Sequence, residues 1–158
     1  MDEPENEVAR WAAMPTWVLS QAAQHGSRLV VDGFASVGAR GYHYRLLATL
    51  EDFGPASQAA LGRRSGIHLS DMVATVNELA ELGLVERAAD PSDRRRNVIT
   101  LTTAGKRHLR RLESRLAAAQ EELLAPLSAD ERRRLVALLA TLLEHHDRRA
   151  GVQEERWR

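Results

Sequence analysis

Arg94, Arg95 and Arg96 lie within Asp90-Pro91-Ser92-Asp93-Arg94-Arg95-Arg96-Asn97, where proline, serine and aspartate stand directly beside three consecutive arginines. Guanidinium groups stay charged and offer a planar fork of N–H donors that suits phosphates and base edges. Pro, Ser and Asp are turn formers. The flanking runs, Leu84-Val85-Glu86-Arg87 and Asn97-Val98-Ile99-Thr100-Leu101, are rich in the β-branched residues of strands. The segment therefore reads as an arginine-tipped β-hairpin.

Other chemistry finds little support. There is no cysteine, which excludes disulfides, thiolate zinc sites and thiol redox sensing. The histidines are His25, His43, His68, His108, His145 and His146, without compact ligand spacing, so no metal site is expected. No nucleophile elbow, phosphate loop or pair of carboxylates in an apolar context is found. No catalytic residue and no cofactor are assigned, and an enzyme is not expected. Basic and acidic residues both number 22, so net charge gives no sign of a nucleic-acid partner and only local clustering can. No apolar run approaches the roughly 20 residues that cross a bilayer, and the start, Met1-Asp2-Glu3-Pro4-Glu5, is acidic, so a cytoplasmic protein without a membrane partner is expected.

The elements that must carry the hairpin are helical. Of the 158 residues 44% are apolar and only 4% aromatic, so Leu and Ala helix packing should supply the core. Met1 to Arg10 lacks periodicity and is expected to fray. A first helix is predicted from an N-cap at Thr16, interrupted by Gly26 and Gly33, which a close helix approach or an already well-packed helix would explain. Tyr42 to Phe53 forms a second, with Leu46, Leu47 and Leu50 on one stripe. Ser57 caps a short third helix over Gln58 to Arg64. A fourth, capped by His68 or Ser70, carries Met72, Val76 and Leu79 and ends at Gly83. Two helices joined by a short turn and followed by a hairpin describe a winged helix-turn-helix. After it, Thr102 or Thr103 caps a helix with Leu109, Leu112, Leu116, Ala119 and Leu123 in a coiled-coil-like seam. Pro126 breaks it, and Ser128-Ala129-Asp130-Glu131 is a capping box for a last helix bearing Leu135, Leu138, Leu139, Leu142 and Leu143. Long helices at both ends flank a small lobe, which favours burial across a two-fold axis in a homodimer.

At these residues the chain resembles the MarR family of transcriptional regulators, over about 16–144. The resemblance is carried by Gly83-Leu84-Val85-Glu86-Arg87, Asp90-Pro91, Asp93-Arg94-Arg95 and Leu101-Thr102-Thr103-Ala104-Gly105. It implies a mainly α fold with a small β wing, a single domain over 1–158 in which about 16–40 and 103–146 are dimerisation helices and about 42–102 the winged lobe. It also implies a dimer on near-palindromic double-stranded operator DNA, repression of transcription, and release by a small-molecule effector, commonly aromatic or phenolic.

On that footing the DNA-binding candidates fall on three elements. The outer face of the fourth helix carries Ser70, Asp71, Val73, Ala74, Asn77 and Glu78. Where relatives commonly place arginine, this chain has Leu69, Ala74 and Glu78, which leaves the Ser70 hydroxyl and apolar contact of Val73 or Ala74 with thymine methyls for direct readout. Asn77 either pairs with an adenine edge or packs locally, His68 either meets a phosphate or caps the turn, and Asp71 suits the positive helix N-terminus. In the wing, Arg95 matches the family's wing arginine, Asp93 is expected to orient it through an ion pair, and one of Arg94, Arg95 and Arg96 can enter a narrow minor groove. Arg63, Arg64, Lys106 and Arg107 are candidate phosphate contacts.

For the effector, Arg40-Gly41-Tyr42-His43-Tyr44-Arg45 lies where the family's pocket wall would be, and Trp17, His25 and Arg28 could face it. An aromatic slot with cationic or imidazole donors would suit an aromatic carboxylate or phenolate. The other reading makes Tyr42 and His43 interdomain packing residues. The alternative function is a winged-helix module acting through protein contacts with little sequence-specific DNA readout.

Overall fold

The computed structural model describes residues 9–149, so residues 1–8 of the stretch expected to fray lie outside it. A short 3-10 turn, Arg10–Ala13, leads into helix α1, Pro15–Ala35. The chain continues through α2 (His43–Phe53), α3 (Gln58–Ser65), α4 (Leu69–Glu81), β1 (Val85–Ala89), β2 (Asn97–Leu101), α5 (Thr103–Leu123) and α6 (Ala129–Arg149). The fold is mainly helical with one small antiparallel sheet, as the sequence implied.

Local signals explain most boundaries. Ser57 Oγ accepts from Ala60 N at the start of α3, and Thr102 Oγ1 accepts from Gly105 N at the start of α5. Before α6 the capping box closes reciprocally: Ser128 N donates to Glu131 Oε2 at 2.8 Å and Glu131 N to Ser128 Oγ at 3.3 Å. The backbone N–H of Ser128, and then its hydroxyl, hold the Glu131 carboxyl below the usual carboxylate range. Thr16 is not the cap of α1. The N-cap position falls two residues earlier, at Met14, and the helix starts at Pro15. Proline's φ already suits the first helical turn and its missing N–H leaves one unpaired donor fewer, so the helix starts there without a side-chain cap.

The core lies between the α2–α4 lobe and the first half of α5. Leu46, Leu47, Leu61, Met72, Val76, Leu79, Ile99, Leu109 and Leu112 are fully buried in it. α1 runs along α5, and the glycines that weaken α1 mark that approach: a Cβ on Gly26 would sit 3.1 Å from Leu123 Cδ2, and one on Gly33 3.5 Å from Arg115 Cβ. Close helix approach therefore accounts for both.

This packing corrects the reading of the α5 seam. Leu109 and Leu112 fill the protomer's own core and Leu116 packs against it, so the upper part of the leucine stripe is an intramolecular contact rather than a dimer seam. α6 is different. Its first turn is tied to α5 through Arg132, which pairs with Glu121 at 2.8 Å and donates to the carbonyls of Leu124 and Leu127. Beyond that turn Val136, Leu138, Leu142 and Leu143 are at least half exposed. No helix among the described residues is long and apolar enough to cross a membrane.

Candidate nucleic-acid interface

α3 and α4 are joined through Gly66, which takes the left-handed φ of +66° that lets the chain reverse. Buried Ser65 ties the corner by donating to Leu61 O and accepting from Ile67 N. Met72, Thr75, Val76 and Leu79 face inward, which leaves Leu69, Ser70, Asp71, Val73, Ala74 and Asn77 on an exposed outer face. His68 holds the N-cap position without a side-chain cap bond, and Ser70 lies inside the helix, so neither hydroxyl nor imidazole closes this end. Asp71 sits in the first turn, where the partial positive charge of the helix favours a carboxylate.

Two residues expected on that face are engaged elsewhere. Asn77 Oδ1 accepts from Arg87 of β1, a local contact between helix and wing. Glu78 turns away from the outer face: its carboxylate accepts from Arg40 at 2.6 and 3.3 Å and from His43 Nε2 at 2.9 Å. The His43 bond, then the Arg40 bond, hold its carboxyl below the usual carboxylate range. The exposed face of α4 thus carries no cation, and its acidic end is neutralised from behind.

The wing is built as expected but wired differently. β1 and β2 pair in register from Val85 opposite Leu101 to Ala89 opposite Asn97, one residue or two further along β1 than strand propensity suggested. Ala56 and Ile99 exchange both backbone bonds, which fastens β2 to the loop before α3. At the tip, Asp90 Oδ1 accepts from Ser92 N and Oγ, and Asp93 Oδ1 accepts from Arg95 N at 3.1 Å. The Ser92 bonds keep the Asp90 carboxyl below the usual range. The side-chain partner of Asp93 is Arg96, at 3.6 Å, and not Arg95. The expected Asp93–Arg95 ion pair is therefore replaced by a backbone turn bond, because Asp93 accepts at the amide two residues on, as short acidic side chains do in turns.

Exposed Arg63 of α3 and Arg96 of the wing line one open cleft of about 570 Å³ with Ser57, Gln58, Ala59 and Asn97. Arg64 stacks over the Phe53 ring at 5.1 Å, a contact that the sequence reading missed. Lys106 and Arg107 are exposed in the first turns of α5, beside the base of the wing.

The five effector candidates do not form one group. Trp17 packs edge-on against Trp11 at 4.6 Å, His25 bonds Arg28 at 2.9 Å, Tyr42 lies under the Arg45 guanidinium, and His43 is committed to Glu78. Trp17 and His25 are eight residues apart on one helix, roughly 12 Å at 1.5 Å per residue. His25 and Arg28 line a separate open cleft of about 410 Å³ with Leu29, Asp32, Glu122 and Leu123. Sequence reasoning gave no site role to Arg87 or His108, and it set Arg40 in the pocket wall rather than against Glu78. His108 is buried in α5 with its Nε2 unpartnered, as is His43 Nδ1.

The description of the MarR family matches residues 38–96 of this chain. The transcriptional regulatory protein described for the hcr operon of Thauera aromatica is 34% identical over 99 residues, which make up 63% of this chain and 60% of that relative. A crystal structure of a transcriptional regulator from Pseudomonas aeruginosa matches at 32% identity and a TM-score of 0.72, over 84% of this chain and 99% of that one. The PcaV transcriptional regulator of Streptomyces coelicolor, solved with its natural ligand, matches at 29% identity and a TM-score of 0.70, over 87% and 96%.

Proposed function

Because this chain belongs to the MarR family of winged helix-turn-helix transcriptional regulators, we propose that it acts as a homodimeric repressor on a near-palindromic operator. In this reading α4 enters the major groove, the wing tip enters the minor groove, and α1, α5 and α6 supply the dimer interface. The observation that carries it is the exposed outer face of α4, tied to β1 of the wing through Asn77 and Arg87, together with the exposed Arg94, Arg95 and Arg96 at the wing tip. Ser70, Val73 and Ala74 supply direct readout, with Asn77 serving the wing through Arg87. Arg63, Arg64, Arg96 and Lys106 supply phosphate contacts, and His68 and Asp71 frame the N-terminus of α4.

Small-molecule release is proposed on the same footing. PcaV was solved with a ligand, and the cleft lined by His25, Arg28, Asp32 and Glu122 offers both donors and acceptors to a small polar molecule. The test is binding of labelled DNA from the gene's own upstream region across a salt series. A steep loss of affinity with salt and a preference over random duplex support the repressor reading. Affinity with neither property would favour a winged-helix module that acts through protein contacts.

A further inference from the structure

Glu78 is the point at which the C-terminal half of α4 is held from behind, and the two groups that hold it differ in freedom. His43, at the start of α2, has a side chain only 4% exposed, so its ring is a fixed jaw. Arg40 has a side chain 77% exposed and lies in the α1–α2 connection, between Gly38 and Gly41, both of which take left-handed φ values. It is an exposed jaw at a turn whose backbone is itself bonded, Ala39 N to Phe34 O and His43 N to Arg40 O. The bonds to Glu78 reach across 35 and 38 residues of sequence, and among the described residues they are the only side-chain bonds tying α4 to the α1–α2 corner.

Resting on the reading of α4 as the helix that meets DNA, we propose that the Arg40–Glu78–His43 cluster is a latch and Glu78 a positioning residue, setting the angle at which α4 presents its outer face. The chemistry favours a latch over a simple brace. A carboxylate held by two cationic or imidazole donors on one side is directional, and opening the Arg40 jaw leaves the His43 bond as the one side-chain tie from α4 to the α1–α2 corner among the described residues. Arg40 lies five residues beyond the end of α1, and Phe34 and Ala39 at this corner are buried in the core, so a shift of α1 relative to α2 moves the corner and with it the Arg40 jaw on α4. A tilted α4 would lose base contacts that need close alignment and keep the Coulomb attraction to phosphates, which falls off slowly with distance. The latch therefore governs preference among sequences more than overall affinity for DNA.

The test is a double-mutant cycle on full-length protein, comparing operator with random duplex. Arg40→Ala should lower the preference for operator by about tenfold and Glu78→Ala, which also frees His43, by at least as much, and the double variant should be no worse than Glu78→Ala alone, because the Arg40 bond is already lost there. Affinity for random duplex should stay within about twofold. Losses that multiply in the double variant, or that fall equally on both duplexes, would make Arg40 an independent phosphate contact and overturn the latch. Should the alanine variants fold poorly, Glu78→Gln keeps the side-chain size and removes the charge. Faster amide exchange in α4, with α3 unchanged, is then the expected result, and unchanged exchange with unchanged preference overturns the proposal. A wild-type protein with no operator preference would instead overturn the reading of α4 on which the latch rests.

Discussion

Arg95 and Arg96 stand next to each other, yet their surroundings leave them different tasks. Arg96 is paired with Asp93 and lines the cleft shared with Arg63, whereas Arg95 has a fixed backbone and, among the described residues, no side-chain partner. A guanidinium held out on an ordered turn loses little freedom on entering a groove. Arg95→Ala is therefore expected to weaken operator binding by about 1–3 kcal/mol and leave the melting temperature unchanged. Equal affinity for the variant in a titration would remove the wing tip from the mechanism. His108 makes a different residue-scale case. Its pKa is lowered first by burial, then by the nearby charges of Arg111 and His43. The unfolded chain thus takes up a proton more readily than the fold. The stabilisation is complete above the ordinary imidazole value, near 6.5, and is lost as pH falls through the lowered folded value. Chemical denaturation between pH 7.5 and 5 should show stability falling toward acid, with a shallower slope in His108→Gln. The depressed carboxyls of Glu78, Asp90 and Glu131 act in a lower window, below the usual carboxylate range, and do not mask this one.

At the scale of elements, the junction of wing and α5 explains why Leu101-Thr102-Thr103-Ala104-Gly105 is a recognisable string. Thr102 caps α5 and also donates to Gly83 O at 2.8 Å, so one hydroxyl joins the end of α4 to the start of α5. Gly105 is pressed against the Leu84 carbonyl and the Leu101 side chain so closely that a Cβ has no room. Backbone cannot give way as a flexible side chain can. Gly105→Ala should then cost on the order of 3 kcal/mol, read as a lower denaturation midpoint with unchanged slope. A variant as stable as the wild type would mean that β1 and α5 can separate without loss. The same junction shows what was legible in the sequence. Caps at Ser57, Thr102 and Ser128, the left-handed Gly83 and the hairpin all rest on residues a few positions apart, where local chemistry decides. Glu78 was misread because its partners lie in α2 and the loop before it, and nothing in the helical period marks a carboxylate for so distant a bond. Asp93 was misread for a subtler reason: ion pairing and turn capping compete for the same oxygens, and only the bend of the tip decides between them.

For the whole molecule, the leucine stripes of α5 and α6 look alike in sequence and behave oppositely. A heptad-like spacing says that a face is buried, without saying whether the partner is the same chain or another. In α5 the stripe at Leu109 and Leu112 meets the protomer's own lobe, so Leu116→Arg would strain the fold itself and cannot isolate the dimer. In α6, Leu138 and Leu142 stand 57% and 50% exposed, and the start of α1 with the 3-10 turn before it exposes Trp11, Met14, Trp17 and Val18. Two apolar faces of this kind, carried on helices at both ends of the described chain, suit an interface between two copies better than a surface left in water. Leu142→Arg is the cleaner test because the side chain meets little within the protomer. The substitution should leave secondary structure intact while raising the dimer dissociation constant more than a hundredfold, about 3 kcal/mol, since a charge would be buried without a partner. Sedimentation equilibrium over a concentration series reads the result directly, and operator affinity should fall with it, because two half-sites bound by separate protomers lose their linkage. A variant that stays dimeric at every concentration would move the interface off α6 and onto the exposed end of α1.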